Sequence, residues 1–378
     1  MLLQKLQVLG IAASWDSCGG VKQKSFRKAG IPLEFSPFIQ DCAATSEKCR
    51  LMKVLQSNKC IHDCKYCVNS ISNGLKKELE PKEIAESFSL LARKGFVEGL
   101  FLSSAVTRNA DSTAEKMIES ARILRQEKRF QGYIHLKVLP GMSKDKIFEM
   151  AKYADRLSLN IEAPSAQRFS ELGSTKDYFK DLEKRLEWIN VARKKGFRIS
   201  FTTQFILGAA GETDLEVLSK MNSLYEKTFL WRSYFSAFSP VKGTGLENKK
   251  GENPLREHRL YQSDWLLRVY GFKLKELKMA LNEKGMLSLE KDPKLAIALN
   301  SLERFPVNPN NAKKEELLRV PGIGLKTVEK IELAKQNGER FQEFKDLKRY
   351  GVVLQKAMPF LQLEKERQAR ISDFCQPI

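Results

Sequence analysis

Three cysteines lie close together in the first fifth of the chain. Cys60, Cys64 and Cys67 have a C-x3-C-x2-C spacing within residues 58–67. Three thiolates on one short loop can turn inward together and bind three corners of an iron–sulfur cube. The fourth iron then has no protein ligand, so one corner stays open for chemistry. We therefore predict that these cysteines bind a 4Fe-4S cluster.

Two other interpretations use the same residues. Cys64 and Cys67 could form a redox-active dithiol pair, and His62 could complete a zinc site with the three thiolates. The position in the chain favours the cluster. The loop directly follows the first predicted strand of a β/α pattern, and a (β/α) barrel places its chemistry at the carboxyl ends of its strands.

The remaining cysteines are Cys18, Cys42, Cys49 and Cys375. An odd total of seven, clustered near the amino terminus, favours metal or redox use over structural disulfides. Cys18, Cys42 and Cys49 could help to ligate a second iron–sulfur cluster, or they could be small buried hydrophobic residues.

The elements that would position the cysteine loop alternate between strand and helix from about residue 50. Short apolar runs predict strands, and charged stretches with helical periodicity separate them. The predicted strands are 52–55, 99–103, 133–138, 156–161, 199–206 and 233–238, and the predicted helices are 81–94, 113–128, 144–153, 178–195 and 214–227. This pattern predicts an α/β fold, a partial (β/α)6 TIM-type barrel. A flat doubly wound sheet is the alternative, because one sequence does not reveal strand order.

The cysteine spacing, with the aromatic Tyr66 just before Cys67, resembles the cluster-binding loop of the radical S-adenosylmethionine (SAM) superfamily. The resemblance implies that SAM chelates the open iron. Electron transfer from a reductant such as flavodoxin or ferredoxin then splits SAM into methionine and a 5′-deoxyadenosyl radical, which abstracts a hydrogen atom from the substrate.

The resemblance also implies contacts with SAM. Tyr66 would lie near the adenine, and Ser103 and Ser104 stand where the family has a Gly-Gly-Glu-Pro-like turn that binds the methionine amino group. The acid of that turn is missing here. Gln204 and Gly208 resemble the element that supports adenine, although a plain strand ending in a glycine turn explains them nearly as well.

Alternation along two predicted strands adds further candidates. Ser158, Asn160 and Glu162 share one face of their strand, so Asn160 and Glu162 could bind the ribose hydroxyls or the methionine group of SAM. His135 and Lys137 alternate in the same way and could face the substrate.

A second motif lies near the carboxyl terminus. Residues 315–331, around Pro321-Gly322-Ile323-Gly324-Leu325-Lys326, resemble the helix-hairpin-helix element of DNA-repair and recombination proteins. Leu317, Leu318, Val328 and Ile331 can pack the two helices together. The resemblance implies that the turn and the following helix bind DNA phosphates. The implied DNA contacts are Gly322, Ile323, Gly324, Lys326 and Lys330.

Two alternatives concern this region. A plain helical hairpin without a ligand would show much of the same pattern. Residues 344–360 resemble a degenerate second copy of the motif, which lacks the paired glycines and which we expect to be structural.

Composition limits the classes of protein that remain. The 65 Lys and Arg residues exceed the 46 Asp and Glu residues, which gives a formal charge of +19 and favours a polyanionic partner. The apolar runs are too short for a membrane span, so we expect no membrane partner and a cytoplasmic location. Four regions are predicted: an extension (1–50), the barrel (51–254), a helical connector (255–311) and the helix-hairpin-helix module (312–378).

The two motifs together resemble a radical SAM family with a proposed role in DNA modification or repair. A base inside a duplex is hard to reach, so base flipping or a single-stranded substrate is implied. Two further hypotheses stay open: an RNA-modifying radical SAM enzyme, and a DNA-binding iron–sulfur redox sensor that does not cleave SAM.

Overall fold

A computed structural model describes residues 2–16, 30–42, 49–70 and 74–364. The chain divides into two compact units. Unit 1 comprises Met1–Glu212 and Ser223–Pro254, and unit 2 comprises Thr213–Asn222 and Leu255–Ile378.

Unit 1 is built on one curled sheet of seven strands, whose order in the sheet is the order in the chain. The strands are β1 (Ile39–Cys42), β2 (Cys49–Leu55), β3 (Gly99–Ser103), β4 (Tyr133–Lys137), β5 (Arg156–Ser158), β6 (Ser200–Leu207) and β7 (Leu230–Ala237). Strands β2 to β7 are all parallel, and β1 pairs with β2 in the antiparallel direction. A doubly wound sheet would reverse its strand order part-way. The partial barrel is therefore confirmed.

Helices connect the parallel strands, as a right-handed βαβ crossover requires. They are α1 (Leu2–Ala13), which precedes the sheet, α2 (Pro81–Arg93), α3 (Ala110–Arg122), α4 (Lys144–Ala151), α5 (Ala166–Ser170), α6 (Lys184–Lys194) and α7 (Asp214–Lys227). Two predicted helices contain a π-helical turn, at Ile123–Glu127 and Tyr178–Glu183. Amphipathic packing explains these elements: α2 buries Ile84, Phe88 and Leu91 on one face.

Strand β5 is shorter than the predicted strand 156–161. The backbone at Glu162 adopts a left-handed conformation with φ of 60°, which a non-glycine residue rarely does and which ends the extended chain. The pairing with β6 nevertheless continues, because the amide of Glu162 donates to the carbonyl of Gln204 at 3.0 Å. Glu162 is thus held at the carboxyl edge of the sheet.

Unit 2 is helical. Its helices after residue 253 are α8 (Pro254–Arg268), α9 (Leu274–Lys278), α10 (Pro293–Leu299), α11 (Lys314–Leu317), α12 (Leu325–Gln336), α13 (Phe344–Lys348) and α14 (Leu354–Ala357). The four residues predicted to pack the hairpin, Leu317, Leu318, Val328 and Ile331, are all buried in one apolar core. Among the described residues, no helix is both long enough and apolar enough to cross a membrane.

Candidate functional site

One cavity lies at the carboxyl edge of the parallel sheet in unit 1. Cys60, Cys64 and Cys67 line it, and all three are free thiols. Its other walls come from the segments that follow β3, β4, β5, β6 and β7, since the carboxyl ends of parallel strands meet at one edge.

The cysteine loop is attached to the sheet through backbone hydrogen bonds. The amide of Gln56 donates to the Ser103 carbonyl at 2.7 Å, and the amide of Ala105 donates to the Ser57 carbonyl at 2.9 Å. These bonds continue the β2–β3 ladder beyond both strands. The loop therefore leaves the sheet at a fixed point, directly above the cavity.

A single carboxylate clamps the loop from the other side. Asp63 accepts hydrogen bonds from the backbone and the hydroxyl groups of Ser174 and Thr175, with hydroxyl distances of 2.6 and 2.7 Å. Desolvation alone would raise the pKa of Asp63, but these hydrogen bonds hold it well below its ordinary value. Asp63 thus remains an anion that ties the cysteine loop to residues 174–175.

Burial keeps the thiols of Cys64 and Cys67 protonated before a metal binds. Burial raises the pKa of Cys64, and burial together with the neighbouring Cys64 raises the pKa of Cys67 to about 12. Lys176 opposes the shift at Cys64, because its ammonium group is hydrogen-bonded to that sulfur. Iron must therefore displace protons as it binds, and Lys176 stabilises negative charge at the sulfur.

The three cysteine thiols suit a cubane iron–sulfur cluster better than a single metal ion. Among the described residues, no three His, Cys, Asp or Glu side chains are grouped so that they could hold one metal ion. His62 lines the same cavity: its Nδ1 contacts the Thr175 hydroxyl at 3.1 Å, and its Nε2 is buried without a hydrogen-bond partner among the described residues. Three free thiols around one cavity suit a cluster in which each sulfur binds a different iron.

The structure brings most of the predicted SAM contacts to this cavity. Tyr66, Ser103, Ser104, Asn160, Glu162 and Gln204 all line it. Tyr66 is hydrogen-bonded to Glu162, and burial raises the pKa of both groups. The second carboxyl oxygen of Glu162, Oε2, is buried without a hydrogen-bond partner among the described residues. An unsatisfied buried acceptor beside the thiols fits a ligand that carries hydrogen-bond donors.

Two predicted residues are placed elsewhere. Gly208 lies outside the cavity lining; its φ of 83° makes a turn, and its amide donates to Glu212. His135 is buried beneath the cavity, where its Nε2 contacts the Ser158 hydroxyl at 2.8 Å. Lys137 does line the cavity. The same alternation therefore yields one residue in the cavity and one below it.

Comparison with known proteins finds a family match for the segment that contains this site. Residues 54–224 match the model of the Radical SAM superfamily, and this segment contains all three cysteines and every cavity residue predicted to contact SAM. The chain contains a radical SAM domain at residues 54–224. A 4Fe-4S cluster and SAM are the cofactors of that superfamily, and the cavity has the residues to hold both.

Curated relatives share this radical SAM segment. A tRNA-2-methylthio-N(6)-dimethylallyladenosine synthase from Thermoanaerobacter pseudethanolicus is 26% identical over 198 residues, which cover 50% of this chain and 40% of the relative. A synthase of the same name from Clostridioides difficile is 26% identical over 212 residues, which cover 52% of this chain and 41% of the relative. The chain thus matches about two fifths of each relative's length.

Solved structures also resemble the chain. Methylornithine synthase superposes with a TM-score of 0.46 and 16% identity, covering 56% of this chain and 60% of that structure. The FeFe-hydrogenase maturase HydG from Carboxydothermus hydrogenoformans gives a TM-score of 0.45 and 14% identity, covering 56% and 50%.

The cysteines outside the radical SAM motif differ in state where the structure describes them. Cys18 and Cys375 lie outside the described residues. Cys42 takes part in a disulfide, and Cys49, which faces Cys42 across the β1–β2 pair, is a free thiol. A second iron–sulfur cluster at Cys18, Cys42 and Cys49 remains a prediction.

Unit 2 contains the predicted hairpin between α11 and α12. Gly322 has a φ of 82°, and a Cβ at this position would lie 2.6 Å from the Val353 carbonyl. Ile323 is buried, and Gly324 caps α12. Lys326 and Lys330 are exposed on α12.

The suspected second copy packs against the first. The amide of Val353 donates to the Gly322 carbonyl at 3.0 Å, and the Thr327 hydroxyl donates to the Gly351 carbonyl at 3.2 Å. Gly351 has a φ of 93°, as a hairpin turn requires. The two turns therefore support each other's conformation.

Four further residues belong to the radical SAM site and were not predicted from the sequence: Trp15, Asp16, Asp63 and Lys176. Asp63 and Lys176 lie 113 positions apart, so no local pattern links them. Asp63 lies between Cys60 and Cys64. A carboxylate within the cysteine loop was the one feature of the sequence that could have indicated a role for Asp63 at the site.

Changing Asp63→Asn should weaken cluster binding about 10-fold or more, the usual cost of losing a hydrogen-bonding group that orients metal ligands. Iron and labile sulfide retained after anaerobic reconstitution and challenge with a chelator measure this. Asp177→Asn, an exposed helix cap in the same unit, is the control. Equal iron retention by Asp63→Asn and wild type would show that the clamp is dispensable.

Proposed function

We propose that this chain is a radical SAM enzyme that acts on DNA, in modification or repair. The observation that supports this most strongly is the combination, in one chain, of a three-cysteine cavity with a glycine hairpin that precedes a helix with two exposed lysines, Lys326 and Lys330. The cavity accounts for the radical chemistry, and the hairpin accounts for the choice of substrate.

The residues of the cavity divide the work of holding the cofactors. When bound, the cluster and SAM supply a one-electron reductive cleavage that yields a 5′-deoxyadenosyl radical, the electron coming from a reductant such as flavodoxin or ferredoxin. Cys60, Cys64 and Cys67 would hold the cluster. Glu162 Oε2 would accept a hydrogen bond from a donor group of SAM, since it is buried without a partner among the described residues.

Other residues orient and shield the site. Tyr66 fixes the Glu162 carboxyl group through their hydrogen bond. The small Ser103 and Ser104 let the backbone after β3 approach a ligand closely. Apolar residues, among them Val106 and Leu139, line the same cavity and exclude water from a radical reaction.

DNA is the proposed substrate because of the hairpin. The amides at the start of α12 and the positive end of its dipole favour a phosphate, and the exposed Lys326 and Lys330 add positive charge nearby. Ile323 contributes through its backbone, since its side chain is buried. Such contacts hold the nucleic acid backbone without reading bases. The reacting base must then be flipped out or single-stranded.

RNA is the second candidate. The curated relatives are named as tRNA-modifying synthases, and their similarity covers about half of this chain. The family match ends at residue 224, before the hairpin begins. The shared segment therefore concerns radical formation, and the hairpin lies in the part of the chain that distinguishes a DNA substrate from an RNA substrate.

Reconstituted, reduced full-length protein should form 5′-deoxyadenosine faster with DNA than without nucleic acid. Mass spectrometry of the nucleosides and of 5′-deoxyadenosine, with duplex DNA, single-stranded DNA and tRNA compared in parallel, measures this. Stimulation by tRNA with none by DNA would replace the proposal with RNA modification. Absence of SAM cleavage under all conditions, with an intact cluster, would favour the redox sensor.

Changing Gly322→Val should lower duplex affinity severalfold at moderate salt. A side chain there meets the Val353 carbonyl and strains the left-handed turn, so the amides of the hairpin move. Gly338→Val is the matched control, because Gly338 has a φ of 81° but open space around it. Fluorescence anisotropy with labelled duplex measures affinity.

The exposed lysines give an independent test that leaves the turn intact. Lys326→Gln and Lys330→Gln should each reduce the dependence of log affinity on log salt by about one. Unchanged affinity in Gly322→Val, together with an unchanged salt slope in both lysine variants, would remove the hairpin from DNA binding.

A further inference from the structure

The amino-terminal helix is fixed against unit 1 by close packing. Leu9 and Ala13 are fully buried, and Gly10 allows contact so close that a Cβ there would lie 2.5 Å from the Cβ of Phe38. Lys5 also pairs with Glu83 of α2 at 2.8 Å. The end of α1, and with it the segment Trp15–Asp16, therefore has a defined position relative to the sheet.

This segment reaches the radical SAM cavity, although it lies outside the matched segment 54–224. The Asp16 carboxylate contacts the Lys137 ammonium group and accepts from the Asn160 amide at 3.4 Å. It is also hydrogen-bonded to Ser103. One carboxylate thus gathers side chains from β3, β4 and the segment after β5.

The neighbouring backbone adds a fourth contact. The side-chain amide of Gln204 donates to the Trp15 carbonyl at 3.3 Å. Ser103, Asn160 and Gln204 were each predicted to contact SAM, and each is hydrogen-bonded to residues 15–16. The amino-terminal segment is therefore in a position to set the orientation of these three side chains.

Charge gives Asp16 a second role. Lys53 is buried among the strands, only 1% exposed, and Lys137 is half-buried, with 12% of its side chain exposed. The Lys53 ammonium group contacts the Asp16 carbonyl and lies 3.0 Å from Gln40 Oε1. Burial alone would raise the pKa of Asp16, but these two lysines lower it below its ordinary value. Asp16 is thus an anion between the buried Lys53 and the half-buried Lys137.

We propose that Asp16 is a positioning residue for SAM: it neutralises Lys137 and holds Ser103 and Asn160 in the orientation that receives the cofactor. This inference rests on the proposed function, in which the cavity binds SAM. Without the carboxylate, the half-buried Lys137 would place a cation that has lost its partner beside the positively charged sulfonium group of SAM. It would also compete for the side-chain oxygens of Ser103 and Asn160.

Asp16→Asn tests the proposal, because it keeps the shape of the side chain and removes its charge. The dissociation constant of SAM for the reconstituted full-length protein should rise roughly tenfold, a coupling of ordinary size for neighbouring groups in one charged network. Equilibrium dialysis with labelled SAM measures it. Iron content, and the EPR spectrum of the reduced cluster without SAM, should match wild type.

A rescue separates positioning from general structure. In Asp16→Asn with Lys137→Gln, no unpaired cation remains at Lys137, so SAM affinity should recover most of the loss. Asp16→Glu, which keeps the charge, should bind SAM better than Asp16→Asn. Glu115→Gln is the control: it removes a carboxylate from an exposed pair with Lys146 in the same unit and should bind SAM like wild type.

Three results would overturn the inference. SAM binding to Asp16→Asn that equals or exceeds wild type would mean that Asp16 does not assist the cofactor. Loss of iron along with SAM, or no recovery in the double variant, would make its role structural. If wild-type protein with an intact cluster failed to bind SAM, the proposed function itself would fail instead.

Discussion

Three cysteine thiols must reach one cavity on a loop that has neither helix nor strand between residues 58 and 67. An unsupported loop would lose this arrangement to conformational entropy. The structure restrains it from two sides. Backbone hydrogen bonds extend the β2–β3 ladder into the loop, and the Asp63 carboxylate joins it to Ser174 and Thr175. The geometry of the metal site therefore depends on residues that do not bind metal.

Charged side chains also lie in and beside the cavity of the barrel. The cavity is lined by Asp16, Lys137 and Glu162, and Lys53 contacts Asp16 beside it. Unpaired ions in such a place are costly. Desolvation lowers the pKa of Lys53 to about 8, even though Asp16 counters this effect. These groups are balanced against one another, so the ligand that enters must match their charge pattern as well as the open iron. SAM carries a carboxylate, an ammonium group and a sulfonium group. Such a ligand suits a cavity that contains both carboxylates and ammonium groups.

Much of the fold followed from local pattern. The alternation of strand and helix predicted six parallel strands, and helix α7 begins and ends where its periodicity predicted. The C-x3-C-x2-C spacing pointed to the cavity, because the three cysteines that line it lie close together in the sequence. Long-range relations were not predictable: Asp16 meets Lys137 across 121 positions, and Asp63 meets Ser174 across 111. Glu162 was predicted to lie on a strand face, but its left-handed backbone places it at the strand edge. Gly208, predicted to support adenine, lies outside the cavity lining, and its amide donates to Glu212.

We infer that three cysteine thiolates hold a cubane cluster whose fourth iron binds SAM. Electron–nuclear double resonance of the reduced, reconstituted protein with SAM labelled in its amino nitrogen and carboxylate oxygen tests this directly. We expect hyperfine coupling between both labelled groups and the cluster, and loss of the cluster signal in Cys67→Ala. A cluster spectrum that does not change when labelled SAM is added would contradict it.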